Sequence, residues 1–346
     1  MSVSISIKKK YSDFTLDVEF ETDSSRIGIL GASGCGKSLT LKSIAGLIRP
    51  DEGRIVFEDK VLFDSKSSIS VKAQKRSVGY LFQDYALFPN MTVYENIEAA
   101  AGVKNTSRIS RKSATDEIIK QYDLYDIKDH LPSKLSGGQK QRCALARIEA
   151  SDPDMILLDE PFSAMDTFLR EGLRLELIKR LDEYDKTFII VSHDRDEIYQ
   201  MCDHLVLMQD GKVLDHGPVD ELFAHPKSST AARLTGCKNI SRIERISSNT
   251  IRALDWGGLT LSTAREVTSD MKFAGIRAHD FSATDSGTNI IPTGKVSIST
   301  LPFEWYVTLE NGLWWKLAKD LDCSFSPDDV PEYISIAEDK IILMKE

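Results

Sequence analysis

The sequence predicts an α/β domain with a helical insert, followed by an all-β domain. Three observations carry this. Short apolar runs at 26–30, 155–158 and 188–191 read as buried strands of an α/β core. The first of them feeds a glycine-rich turn that opens a helix. After Pro226 the chain changes to short alternating segments separated by turns such as Trp256-Gly257-Gly258 and Glu310-Asn311-Gly312.

At 346 residues the chain is long enough for two or three domains, because single cores rarely grow past roughly 250 to 300 residues. We expect two: residues 1–235, with a helical insert at about 90–150, and residues 236–346. With 44 basic and 53 acidic residues the net charge is −9, which argues against a general attraction to nucleic acid or anionic lipid. Any anion site must be local. The five cysteines, Cys35, Cys143, Cys202, Cys237 and Cys323, are widely spaced and form no C-x-x-C pair, so neither a disulfide framework nor a zinc site is expected. The N-terminus alternates like a strand and lacks the apolar core of a secretion signal. No apolar run approaches the length of about 20 residues that a bilayer span needs.

Taken in order, residues 2–7 and 14–20 alternate as strands, and 26–30 is a buried strand. A helix follows from Lys37 through Leu41 and Ile44, with Gly46 as its stop before Pro50. Residues 54–57 and 77–82 are strands on either side of a serine-rich surface loop at 65–70. From 90 to about 130 the pattern is helical and polar, and a further helix is expected over 140–148. Strands at 155–158 and 188–192 precede a hairpin, 204–208 and 212–214, turned by Gln209-Asp210-Gly211. From Ile240 onward the segments read as a β barrel.

The chemistry concentrates at strand ends. Gly31-Ala32-Ser33-Gly34-Cys35-Gly36-Lys37-Ser38, leading into Leu39, lies between a strand and a helix. That is the context in which such a loop wraps phosphate with backbone N–H groups and the helix N-terminus. Lys37 reaches the β/γ-phosphates in such loops, and the Ser38 hydroxyl ligates Mg²⁺. Asp159 and Glu160 end a buried strand, where two carboxylates call for a metal and a water. Gln83 and His193 also stand at carboxyl ends of strands, where ligands of α/β sheets gather. Leu135-Ser136-Gly137-Gly138-Gln139 marks a second helix entry, weak as a signal by itself. Tyr11 and Phe14 are aromatic rings that could stack on a base or simply pack.

Together, residues 28–217 resemble the nucleotide-binding subunit of ATP-binding-cassette (ABC) transporters, a family of phosphate-loop ATPases. Residues 31–38 look like Walker A, Ile156 to Asp159 with Glu160 like Walker B and the catalytic glutamate, and Gln83 like the Q-loop. Leu135 to Gln139 look like the family signature, Ser163-Ala164-Met165-Asp166 like the D-loop, and His193 like the switch histidine. Met165 and Ile148-Glu149 depart mildly from the usual residues.

This resemblance implies ATP and Mg²⁺ as cofactors: Lys37 and the loop N–H groups on the phosphates; Ser38, Gln83 and Asp159 on the metal; Glu160 as general base; His193 near the γ-phosphate. It also implies a head-to-tail homodimer in which Ser136, Gly137, Gly138 and Gln139 of one copy, with Asp166, serve the ATP held by the other. The implied partners are membrane permease subunits and, indirectly, a periplasmic or extracellular solute-binding protein. The implied place is the cytoplasmic face of the membrane. The C-terminal segment resembles the OB-like (MOP/TOBE) barrels of molybdate, tungstate and sulfate importer cassettes, although cassettes for sugars, iron and polyamines carry related barrels. A soluble ATP-driven switch is the other class to weigh. Such switches usually carry a coiled-coil insertion or two cassettes in one chain, neither of which is present.

Overall fold

The computed structural model describes residues 2–104, 107–163, 167–184, 186–284, 286–319 and 329–345. The chain divides between Val219 and Asp220 into two units.

The first unit opens with β1 (Val3–Lys10), β2 (Thr15–Thr22), β3 (Arg26–Gly31), α1 (Lys37–Ala45), β4 (Glu52–Phe57), β5 (Lys60–Asp64), β6 (Ile69–Ser70) and β7 (Val78–Leu81). It continues with α2 (Val93–Ala101), α3 (Arg108–Gln121), α4 (Gly137–Ala150), β8 (Met155–Asp159), α5 (Thr167–Tyr184), β9 (Thr187–Ser192), α6 (Arg195–Met201), β10 (His204–Gln209) and β11 (Lys212–Pro218). The strands form one sheet in the order β6-β5-β4-β1-β2-β11-β10-β3-β9-β8-β7.

Within that sheet β10, β3, β9, β8 and β7 run parallel to one another. β8 and β9 are buried along their whole length, as strands covered on both faces must be, which is why they read as unbroken apolar runs. Parallel pairing puts the carboxyl ends of β3, β7, β8 and β9 on one edge, and that edge carries residues 31–38, Gln83, Asp159–Glu160 and His193. The antiparallel part, β1 with β2 and β4, alternates buried and open positions, and Val3, Ile5, Ile7, Leu16, Val18 and Phe20 join the core beneath α1.

The 90–150 region folds as α2, α3 and α4, which contact one another. Thr92 and Glu95 form a reciprocal cap on α2, and the buried Asn96 amide donates to the carbonyls of Phe88, Met91 and Thr92, which tightens the turn before the helix. The helix expected from Lys140 begins earlier, at Gly137, because Ser136 caps it: its hydroxyl accepts from the Gln139 N–H while the Gln139 side chain accepts from the Ser136 N–H.

The second unit holds α8 (Ser229–Leu234), preceded by α7 (Val219–Ala224) at the boundary. Its strands are β12 (Asn239–Ser247), β13 (Thr250–Ala253), β14 (Leu259–Ser262), β15 (Phe273–Ile276), β16 (Ser282–Ala283), β17 (Ile290–Pro292), β18 (Ser297–Thr300), β19 (Glu304–Thr308), β20 (Trp314–Ala318), β21 (Tyr333–Ser335) and β22 (Ile342–Met344). They form a five-stranded sheet, β14-β13-β12-β15-β22, and two three-stranded sheets, β16-β21-β17 and β18-β19-β20. One core of Ile251, Trp256, Leu261, Ile291, Val307, Trp315 and Ile334, among others, lies beneath them. The unit begins before residue 236 because Ala231 and Ala232 of α8 are fully buried, Ala232 against Cys237 and Met344.

Lys238, Asn239, Arg242 and Arg277 each make structural contacts within this unit. The Lys238 ammonium lies 4.9 Å from both the Tyr306 and Trp314 rings. Asn239 exchanges hydrogen bonds with the backbone of Trp314. Arg242 pairs with Asp255 at 2.6 Å, and Arg277 donates to the carbonyls of Thr235 and Phe223. Asn239, Arg242 and Arg277 thus each have their own hydrogen-bond partners.

Candidate nucleotide site

The loop between β3 and α1 is shaped by its glycines. Gly34 and Gly36 adopt φ of 81° and 105°, a region that side chains other than glycine enter at a cost of roughly 1 to 3 kcal/mol. A Cβ on Gly34 would meet open space, whereas one on Gly36 would lie 2.7 Å from Leu16 Cδ1. Gly34 therefore faces open space, and Gly36 seats the loop on the core. Ala32, Ser33 and Gly34 are exposed; Gly31, Cys35, Gly36 and Lys37 are buried; Ser38 and Leu39 are half-buried. Burial pushes the Cys35 thiol up, which fits a small inert residue at that place.

Lys37 is only 4 % exposed, and its ammonium donates to the carbonyls of Gly31 at 2.8 Å and Ala32 at 3.1 Å. It has no carboxylate ion pair among the described residues. A buried cation held by neutral carbonyls alone is the complement of a phosphate.

Beside it, the Ser38 hydroxyl donates to Asp159 Oδ1 at 2.6 Å, and the Tyr80 hydroxyl donates to Asp159 Oδ2 at 2.7 Å. Burial, and secondarily the charge of Asp159, pushes the Tyr80 phenol above its ordinary value, so it stays a donor. A hydroxyl and a carboxylate in contact at the phosphate loop are the hard oxygen donors that suit Mg²⁺.

Glu160 follows with φ 48°, a left-handed conformation rare for glutamate. Its N–H donates to Val191 O at 3.0 Å, which locks the turn onto β9. That turn carries its carboxylate to 3.4 Å from His193 Nδ1. His193 itself leaves β9 on a turn pinned by a buried pair. The Ser192 hydroxyl donates to Glu197 Oε2 at 2.6 Å and accepts from the Asp194 N–H. Burial pushes the Glu197 carboxyl up, opposed by the Ser192 bond.

Several expected residues stand apart. Gln83 lies beyond β7, exposed, and makes no side-chain hydrogen bond to Ser38 or Asp159 among the described residues. Ser136 and Gly137 are exposed, and Gly138 and Gln139 half-buried, at the N-terminus of α4. Tyr11 is 40 % exposed, with its ring 6.2 Å from that of Phe14; Phe14 packs on the core beside the Gly36 backbone. Asp166 lies outside the described residues.

Sequence reasoning missed Tyr80 and the use made of Arg147. Tyr80 sits in an apolar run and announces itself only once its register beside β8 is known. Arg147 of α4 donates to the carbonyls of Ala86 at 2.8 Å and Tyr85 at 3.1 Å, in a turn where both residues have positive φ. Glu149, a departure from the usual family residue, accepts a hydrogen bond from the Tyr122 hydroxyl at 2.5 Å.

The family model described as ABC transporter matches residues 15–163. The chain is 36 % identical over 244 residues to the sulfate/thiosulfate import ATP-binding protein CysA of Synechocystis, spanning 69 % of this chain and 67 % of that one. It is 36 % identical to the Fe(3+) ions import ATP-binding protein FbpC of Haemophilus influenzae, over 64 % of this chain and 62 % of that one. It is 37 % identical to the spermidine/putrescine import ATP-binding protein PotA of Clostridioides difficile, over 68 % and 67 %. A solved dimer of the ATP-binding cassette MJ0796 with ADP and Pi superposes with a TM-score of 0.54 at 28 % identity, covering 63 % of this chain and 99 % of that one. With this phosphate loop, this pair of strand-end carboxylates and these relatives, the chain belongs to the ABC transporter family as an ATP- and Mg²⁺-dependent ATPase cassette.

Proposed function

We propose that this chain is the motor subunit of an oxyanion importer, working as a homodimer against membrane permease subunits that receive solute from an external binding protein. The observation that carries the motor reading is the meeting of Lys37, Ser38, Asp159, Glu160 and His193 at the carboxyl ends of β3, β8 and β9.

In this reading Lys37 and the N–H groups of 31–38 hold the phosphates. Bound Mg²⁺ neutralises phosphate charge, and Ser38 and Asp159, with Gln83, are the groups that would hold it. Glu160 takes the proton of the attacking water, and His193 orients that carboxylate and the terminal phosphate. Tyr11 is the better adenine platform, because Phe14 is engaged in supporting the loop. Exposed Ser136 and Gly137, with Gly138, Gln139 and Asp166, complete the site of a second copy. The first unit acts as the cassette, with the second as an accessory β domain, at the cytoplasmic face of the membrane. No helix among the described residues is long and apolar enough to cross one, so the pore belongs to partner subunits.

Sulfate or thiosulfate is favoured by the CysA relative, with molybdate and tungstate as the chemically nearest oxyanions. A polyamine or iron importer is the second reading, favoured by PotA and FbpC relatives at 37 % and 36 % identity. The test is uptake of labelled sulfate, molybdate, ferric iron and spermidine by cells with and without this chain. Loss of oxyanion uptake alone supports the first reading, and loss of either other solute supports the second. Failure of the purified chain to bind MgATP would remove both.

A further inference from the structure

Tyr80 and Asp159 meet because of strand register. β7 and β8 are parallel with Tyr80 opposite Leu157, so Tyr80, Leu157 and, two residues on, Asp159 share one face of the sheet. Two residues of strand advance about 6.6 Å, a distance a tyrosine spans when it leans along its strand. The hydroxyl ends 2.7 Å from Asp159 Oδ2. The ring lies against that of Phe82, with centroids 4.3 Å apart, and Phe82 immediately precedes Gln83. Asp159 thus has one donor on each oxygen, Ser38 on Oδ1 and Tyr80 on Oδ2. If Ser38 turns its lone pairs to a metal, Tyr80 is the donor that still fixes the plane of the carboxylate.

We propose that Tyr80 is a positioning residue for the metal-binding carboxylate, orienting Asp159 from the neighbouring strand. This rests on the metal role proposed above for Ser38 and Asp159. Groups that orient a metal ligand typically contribute 10- to 100-fold to metal affinity.

The experiment is Tyr80→Phe, which deletes the hydroxyl and keeps the ring. Nucleotide binding to the full chain is titrated calorimetrically with ATP at graded Mg²⁺, in the Glu160→Gln background to suppress hydrolysis. The expected result is a half-saturating Mg²⁺ concentration raised about ten-fold, with metal-free ATP binding unchanged and the nucleotide-free melting temperature lowered less than by Tyr80→Leu. Tyr80→Leu serves as the packing control: it should lower the melting temperature as well. A Tyr80→Phe Mg²⁺ curve that overlays that of the Tyr80 chain would overturn the proposal while leaving the ATPase reading intact. Absence of any Mg²⁺-dependent nucleotide binding by the Tyr80 chain would instead sink the ATPase reading beneath it.

Discussion

Glu160 and His193 stand 3.4 Å apart, carboxylate to Nδ1, although 33 positions separate them in the chain. The Glu160 N–H to Val191 carbonyl bond ties the two strand ends together, so the pair is set by backbone and not by side-chain chance. Glu160→Gln keeps that backbone bond and loses only the basic oxygen. It is expected to bind MgATP normally and to release phosphate at least about a hundred-fold more slowly, the lower range of general-base contributions. Substantial phosphate release by this variant would remove Glu160 as the base.

Gly137 offers a sharper test of shared sites. It is exposed in the first turn of α4, and a Cβ there would meet nothing within 4 Å. An acidic side chain at a helix N-terminus also suits the dipole. Gly137→Asp should therefore melt at or above the normal temperature and bind ATP normally, yet hydrolyse it about a hundred-fold more slowly, through repulsion of the partner's nucleotide. Hydrolysis at the normal rate would show that α4 does not face a phosphate in the working assembly.

The two positive-φ loop glycines should separate strain from crowding. Gly34→Ala faces open space and carries backbone strain alone, whereas Gly36→Ala adds close contacts to Leu16 and Phe14. Urea unfolding should show a loss of roughly 1 to 3 kcal/mol for the first and clearly more for the second. Equal losses would mean that the core beneath the loop yields to the added methyl.

Arg147 bridges α4 to the turn at Tyr85 and Ala86 through two carbonyls. A lysine keeps the charge but lacks the planar fork. Arg147→Lys should lower stability by about 1 to 3 kcal/mol and speed protease cleavage within 84–90. An unchanged cleavage rate would show that the turn holds its positive-φ form without the arginine.

His204 supplies a pH prediction. Its ring is half-buried, with Nε2 3.4 Å from Nδ1 of His216; burial, then the neighbouring His216, lowers its pKa from 6.5 to about 4. A lowered folded-state value means that the unfolded chain takes up the proton first. This contribution to stability is fully present above pH 6.5 and is lost as pH falls toward 4. His204→Gln should flatten the stability profile between those limits, measured by urea unfolding at half-unit steps. A profile equally steep in the variant would assign the slope to other groups.

Much of the nucleotide site was legible because its chemistry demands residue types at fixed spacing. The loop at 31–38, the carboxylates after Leu158 and the histidine after Ser192 each follow an apolar run, and each was found at the carboxyl end of a parallel strand. What escaped were relations between segments distant in sequence. β5, the short pairing of β6 and the long helix α5 lie beyond the sequence reading, and α4 starts three residues before the helix expected from Lys140, because the Ser136–Gln139 cap is a side-chain event that periodicity does not report.

Sequence alone determined that the chain has a glycine-rich loop between a strand and a helix, carboxylates at a strand end and a β-rich end, since local chemistry and backbone propensity suffice for these. Only the tertiary structure decided that Tyr80 rather than Gln83 touches Asp159, that Arg147 grips the turn after Gln83, and that Phe14 supports the loop while Tyr11 stays open. The physical reason is register: which residue of one strand lies beside which residue of the next is set by packing the whole sheet, and no single segment carries that information.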